Sequence, residues 1–486
     1  MPDGDTIIRN VQILDGSGSE PRLGNVAIGR GEIVAIGDLS DYSALHDVDG
    51  EGKVLAPGFI DAHTHDDLYL IRAPEMLPKL SQGVTTVIVG NCGISAAPVQ
   101  LNGSPPEPMN LLGEANSFRY PTFADYTRGV AEAQPAVNVA ALVGHIALRS
   151  NHMDRFDRTA SDREIAAMRA QLRESLNDGA LGLSTGLAYS SANSASTEEV
   201  AALCEPLFQA GAIYATHMRT EGDQILEAME EAFQIGQSAR APLIISHLKC
   251  AGVDNWERSA DLLQVLERAG RHHSIGWDCY PYTASSTILS LRQVDERIAI
   301  TITWSDSHPE MAGKNLSQIA AGWGTTQIEA ARRLQPAGAI YHCMSESDVR
   351  RILQHPSTMI GSDGLPNDPF PHPRLWGTFP RVLGHYSREQ KLFPLGEAVR
   401  KMTSLPAQRF GLTDRGWVRE GYAADLVLFN PETVCDTASF ADPVNAAVGI
   451  DGVWVNGELA YWNQASTGQR AGRFLRRKNI DTTSKS

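Results

Sequence analysis

The residues best suited to chemistry in this 486-residue chain are four histidines, a cysteine and a carboxylate, each closing a short apolar run. His63 and His65 stand two apart in DAHTH, so on an extended strand their side chains share one face. Cys92 lies in GNCGIS, where glycines let the backbone bend beside the thiol, and His217 and His247 close ATH and ISH. Singly, each has an ordinary reading, since a cysteine at a strand end is most often a small buried hydrophobe. Together they put soft and borderline donors on one rim. Imidazole with thiolate suits Zn²⁺, which in catalytic sites takes three protein ligands and a water. Asp363, in IGSDG, adds a carboxylate able to take a proton from such a water and pass it to a leaving amine.

The elements that must position these residues are eight apolar runs. They are GFIDAHTH (58–65), TTVIVGNC (85–92), VNVAALVGH (137–145), GALGLSTG (179–186), AIYATH (212–217), PLIISH (242–247), HSIGWDCY (273–280) and TMIGSD (358–363). Buried parallel strands read as continuous apolar runs, and eight of them separated by helix-length segments predict an α/β fold of the (β/α)8 TIM-barrel type. Such barrels carry their chemistry at the C-terminal ends of the strands, where His65, Cys92, His145, His217, His247, Tyr280 and Asp363 fall. His145 is expected to line the pocket and is given no role.

Outside the barrel the texture changes. TIIRNVQILDG and NVAIGRGEIVAIG near the start, and GYAADLVLFNP and AVGIDGVWVNGELAYW near the end, alternate in the strand period. Neither set can close a core alone, so one small β-sandwich domain built by both termini is expected. The boundaries read as 1–57 and 415–486 for that domain and 58–414 for the barrel. Strand-end residues recur every 30 to 40 positions from His145 to Tyr280, whereas 83 separate Tyr280 from Asp363. The excess predicts a long insertion after strand 7, at 284–340, where a lid or specificity element would lie. RRKNIDTTSKS reads as a frayed end.

A formal charge of −15 disfavours nucleic acid and anionic membranes as partners, since both reward clustered Lys and Arg. No basic, apolar leader and no apolar stretch of membrane-spanning length is legible, and six dispersed cysteines fit free thiols in a reducing compartment. Cytoplasm is the expected location.

The same residues carry a resemblance to a known family. GFIDAHTHDD, GVTTVIVGNCGIS, ATHMR, ISHLK, GSDGLPND and HPRLWGTFPRVLG together resemble the D-aminoacylase group of the amidohydrolase superfamily, over nearly the whole chain. In that group a Cys replaces the bridging carboxylated Lys or Glu of many binuclear relatives. The resemblance implies zinc-dependent hydrolysis of N-acyl-D-amino acids to a carboxylate and a free D-amino acid, by metal-bound hydroxide. It makes Cys92, His217 and His247 the ligands of a tight zinc, His63 and His65 a second, weaker metal position, and Asp363 the acid/base. For the substrate carboxylate, Lys249 and Arg374 are candidate cations, and Tyr280 and Ser286 match substrate-contacting positions. The residue after His247 is Leu, where some relatives carry a second His, and strand 7 opens into CYPYTASST. Neither departure removes a ligand.

Narrower and different readings stand beside this one. A deacylase specific for N-acyl-D-glutamate or N-acyl-D-aspartate would use the same residues. A cyclic-amide hydrolase or deaminase usually needs a bridging Lys or Glu, or strict HxH ligation, which Cys92 argues against. A non-catalytic barrel scaffold could have lost ligands without penalty to folding, and here none is missing. Monomer and dimer are both open.

Overall fold

The computed structural model describes residues 4–101 and 103–477. Each of the eight apolar runs becomes a buried parallel strand: β1 (Phe59–Asp61), β2 (Val84–Val89), β3 (Asn138–Ala141, continued by Val143–Gly144), β4 (Gly182–Gly186), β5 (Ile213–His217), β6 (Leu243–Ile245), β7 (Ile275–Cys279) and β8 (Thr358–Ile360). The first half of β3 pairs with β2 and β2 with β1, while the second half leads the row β4, β5, β6, β7, β8. The run at 137–145 is therefore two segments. They part at Leu142, whose N–H donates to Val89 O. Past the strand ends Ala62 N donates to Ile360 O at 3.2 Å, Asp363 N to His63 O at 2.7 Å, and His65 N to Gly364 O at 3.1 Å. These bonds set the segment after β8 beside the segment after β1, which brings the HxH pair and Asp363 together from opposite ends of the sequence.

The intervening helices bury one stripe each and are closed by local chemistry. Thr122 with Asp125 and Ser161 with Glu164 form reciprocal capping boxes at the starts of Phe123–Ala133 and Asp162–Asn177. Between β7 and β8, Ser285–Ile288, Ile300–Ser305 and Ala337–Tyr341 make a three-stranded antiparallel sheet, joined by the helices Leu316–Gly322 and Gln327–Leu334. The expected insertion thus has its own secondary structure.

Both ends of the chain contribute to one nine-stranded sheet. Gly4–Ile13 pairs with Arg22–Gly29, Ala44–Asp49 and Val54–Pro57, and Val54–Pro57 pairs with Leu426–Phe429, followed outward by Ile450–Val455 and Glu458–Trp462. A buried polar knot joins this sheet to β3. Asp425 accepts from Asn138 Nδ2 at 2.9 Å and from Asn456 N at 2.7 Å, and pairs with Arg415. The tail corrects one expectation. Leu475 N donates to Val139 O, and Arg477, read as part of a frayed end, donates its guanidinium to Leu176 O, Ala180 O and Ala210 O. Residues 478–486 of that reading lie outside the described residues.

The segment after β8 docks on the insertion, with Phe370 N donating to Thr303 O at 3.2 Å. Burial there pushes the Asp368 carboxyl up to about 7, outweighing the opposing pull of Thr303 and Arg374. A carboxyl raised in the fold keeps its proton where the unfolded chain has released it, so its contribution to stability falls as pH rises from about 4 to about 7. Asp368→Asn is therefore expected to be more stable than the parent at pH 8, by about 4 kcal/mol, and indistinguishable from it near pH 4. Paired Tm measurements at the two pH values check this; a Tm difference that does not change with pH would refute it.

Candidate metal and substrate site

Three of the residues carrying the chemistry stand in backbone conformations that L-residues seldom adopt. Cys92, His247 and Asp363 have φ of 53°, 37° and 49°. Such strain persists only where the surroundings over-determine it. Gly93 N donates to Ser184 Oγ at 3.0 Å, and a Cβ on Gly90 would meet Leu142 O at 2.1 Å, so the turn carrying Cys92 requires its glycines. His247 N donates to Asp278 Oδ1 at 3.0 Å, and Asp363 N to His63 O.

These turns converge. Cys92 Sγ lies 3.2 Å from His63 Nε2 and 3.3 Å from His247 Nε2. The His217 ring stands edge-on to His247 at 4.5 Å between centroids. Asp363 Oδ1 is 3.1 Å from His65 Nε2 and 3.5 Å from His63 Nε2, and its Oδ2 is 2.9 Å from the Arg374 guanidinium. Ligand atoms of His63, Cys92, His247 and Asp363 fall within 4.8 Å of one another, and so do those of His217, Glu221 and His247. The six residues singled out in the sequence are thus brought into one place, with His63 nearer the thiol than a separate second position would require.

The electrostatics follow from the packing. Burial favours a neutral thiol at Cys92, yet His63 and His247, with hydrogen bonds from His217 and His247, outweigh it and hold the group well below the usual thiol range. Burial likewise opposes a charge on Asp363, but Arg374, then His65, His247 and His63, keep its carboxyl well below the usual carboxylate range. A buried thiolate ringed by imidazoles, with His65 Nδ1 and His217 Nδ1 lacking partners among the described residues, is a donor set that fits a borderline cation such as zinc.

Several supporting residues escaped the sequence reading. Asp278 Oδ2 accepts from His63 Nδ1 at 3.3 Å, and Glu221 Oε1 lies 2.8 Å from His247 Nδ1 and 2.5 Å from Lys249 Nζ. Carboxylates behind ligating imidazoles fix ring orientation and tautomer. Lys79 is fully buried, with its ammonium on Asp61, Thr64 and Ser362 at 2.8 to 2.9 Å and on Asp66 at 3.2 Å. It stitches the segments after β1 and β8 together beneath Asp363. His145 does not face the site as expected; it is fully buried, with Nε2 3.3 Å from Glu199, which also pairs with Arg149. GLSTG (182–186) has the spacing of a serine-nucleophile elbow, but Ser184 lies within β4 and its hydroxyl is spent on Gly90 O and Gly93 N.

A cavity of about 960 Å³ opens above the cluster, lined by His65, His217, His247, Asp363, Lys249 and Ser286 among others. Tyr280 and Arg374 are buried beside it, the Arg374 guanidinium stacking on the Tyr280 ring at 4.5 Å and donating to Ser286 O at 3.1 Å. Arg374 Nε and one terminal nitrogen, Tyr280 OH and Ser286 Oγ are buried with no partner among the described residues.

The fold and this site define a metal-dependent hydrolase, and the chain belongs to the amidohydrolase family, whose model matches residues 48–461. Within it, the chain is 50% identical to the D-aminoacylase of Alcaligenes xylosoxydans xylosoxydans over 473 residues, covering 97% of this chain and 98% of that one. Among solved structures, it superposes on a D-aminoacylase described as defining a novel subset of amidohydrolases, with a TM-score of 0.96, 50% identity, and 98% and 100% of the two chains covered. It also matches the N-acyl-D-glutamate deacylase of Bordetella bronchiseptica, solved with zinc and a phosphonate mimic of the tetrahedral intermediate, at a TM-score of 0.94 and 44% identity over 97% and 99% of the chains. Among the described residues, no helix is long and apolar enough to cross a membrane.

Proposed function

We propose that this protein is a zinc-dependent hydrolase of N-acyl-D-amino acids, releasing a carboxylate and a free D-amino acid. The observation that carries it is the juxtaposition, at one cavity, of a Cys/His cluster suited to zinc, the Asp363 carboxylate held low by Arg374 and the histidines, and buried donors without partners. Cys92, His217 and His247 would hold one tight zinc, and His63 with His65 a weaker second ion. An ion held there would supply Lewis-acid polarisation of an amide carbonyl and a lowered pKa, toward ~7, for a water. Asp363, ionised and beside His65, accepts the proton from the attacking water and delivers it to the amine that departs. Arg374, Tyr280 and Ser286 offer donors to the α-carboxylate of the substrate, and Lys249 adds a cation on the cavity wall. The D-hand is supported by likeness to D-aminoacylase and N-acyl-D-glutamate deacylase.

On this reading the parallel strands form one (β/α)8 barrel, residues 58–414, with 284–340 inserted after its seventh strand. Residues 1–57 and 415–486 then make the small β-sandwich domain. The bonds from Ala62 to Ile360 and from His65 to Gly364 support closure. A cytoplasmic location is supported by six cysteines that are all free thiols. A preference for acidic side chains, as in the glutamate deacylase, is favoured by one observation: Arg292 is on the cavity wall.

Amine release from paired N-acetyl-D- and N-acetyl-L- forms of Met, Leu, Phe, Glu and Asp, on enzyme whose zinc has been counted, tests the proposal. Release from the D-series alone, with about one zinc per chain, is expected. No release from either hand with zinc present would overturn it and redirect the search to cyclic or carbamoyl substrates.

A further inference from the structure

The helix that opens at Arg374 and the strand that carries Ser286 are joined by one side chain that is outside the predicted site. His372 is 3% exposed. Arg374 N donates to His372 Nδ1 at 3.0 Å, and His372 Nε2 lies 3.0 Å from Ala284 O. A backbone N–H can only donate and a carbonyl can only accept. The ring is therefore neutral, with its proton on Nε2, because both contacts cannot be satisfied by any other form. The ring is clamped edge-on by Tyr282 at 5.1 Å and by Phe440, from the C-terminal part of the chain, at 4.9 Å.

The bond to Arg374 N also acts as a cap. Arg374 opens the helix Arg374–Arg381, whose N-cap residue, Pro373, supplies no side-chain acceptor, so His372 satisfies the first N–H of the helix. At its other end the imidazole holds Ala284, two residues before Ser286. The Arg374 guanidinium then reaches back to Ser286 O and Asp363. The ring, the helix start and the guanidinium make a closed circuit that fixes where the unpartnered Arg374 and Ser286 donors lie relative to Asp363.

The geometry points to His372 as a positioning residue for recognition of the substrate carboxylate: it sets the separation of Arg374 and Ser286 without touching substrate. This rests on the proposed role of Arg374 as a carboxylate partner. A rigid ring bonded at both ends suits that task, since a misplacement of about 1 Å in such a clamp costs on the order of 100-fold.

The test uses the full-length, zinc-loaded protein and the best N-acetyl-D-amino acid, with its carboxamide as a competitor, so that the amide need not be turned over. His372→Phe is expected to raise KM for the acid by about 10- to 100-fold, with kcat changed less than about 3-fold and the inhibition constant of the carboxamide unmoved. His372→Gln, which keeps one donor and one acceptor, should recover most of the loss. Should the Phe variant not fold, His372→Asn reaches only one of the two partners and should give a smaller shift with the same acid selectivity. An equal loss for acid and carboxamide, or an unchanged KM for the acid, would overturn the assignment. Arg374→Ala run in parallel separates the two readings. If it discriminates acid from carboxamide while the His372 variants do not, only the His372 inference fails; if it does not discriminate, the carboxylate reading fails and takes the inference with it.

Discussion

Asp363→Asn is expected to lower kcat by about 10²- to 10⁴-fold while zinc content and Tm stay near those of the parent. Asparagine is the informative substitution because Asp363 has φ of 49°, a left-handed conformation that Asn tolerates and most residues do not. The turn between Ser362 and Gly364 should therefore survive, with Asp363 N still on His63 O and Gly364 N still on Ser362 Oγ. The change removes the ability to accept and return a proton. It also removes the anion facing His65, His63 and Arg374, so Arg374 becomes freer to pair with a substrate carboxylate. KM for an N-acyl-amino acid should accordingly stay level or fall, and the whole loss should lie in kcat. Steady-state kinetics beside a zinc count decide the matter. Normal turnover would remove Asp363 from the proton transfer, and loss of zinc together with rate would recast it as a ligand.

Most of the residues brought together here were legible because barrels tie position in sequence to position in space. A residue that ends a buried parallel strand is delivered to the same rim as the ends of the other strands, so the amino-acid sequence alone assigns the residues ending β1, β2, β5, β6 and β8 to one place. That rule gives place and not direction. His145 ends β3 and yet turns outward to Glu199, because a strand end can present its next side chain to the helix layer as readily as to the mouth. Lys79 in EMLPKLSQG reads as an ordinary surface cation, and only the tertiary pairing with Asp61 and Asp66 explains its burial. Asp278 lies within an apolar run and Glu221 in a polar loop, so no local pattern sets either apart; their meaning lies in the histidine nitrogens they face. Arg477 misled for the opposite reason. A charged terminal segment looks solvated, but its guanidinium meets backbone carbonyls of the chain around β4 and β5 that no pattern in the tail announces.

Cys92→Ala should be the most severe change at the metal cluster, with zinc affinity reduced by more than about 100-fold and turnover by about 10³-fold or more at limiting zinc. The thiolate lies within 3.3 Å of two imidazole nitrogens, so its removal takes the closest negative charge from the facing edges of His63 and His247 and leaves only Asp363, 3.5 Å from His63 Nε2, and the carboxylates of Asp278 and Glu221 behind the rings. Packing should suffer less, because Ala fills part of the volume and the turn is fixed by Gly93 N on Ser184. The histidines then sort the two metal positions. If Cys92, His217 and His247 hold the tight ion, His217→Ala and His247→Ala should empty it, whereas His63→Ala and His65→Ala should keep about one zinc per chain. The geometry makes His63 the discriminating case. Its Nε2 is as close to the thiol as that of His247, and Asp278 behind it supplies the carboxylate that commonly supports a ligating imidazole. Retention of stoichiometric zinc in His63→Ala would assign that contact to the weaker position. An empty site in His63→Ala with zinc retained in His217→Ala would move the tight ion to the His63, Cys92 and His247 corner, next to Asp363.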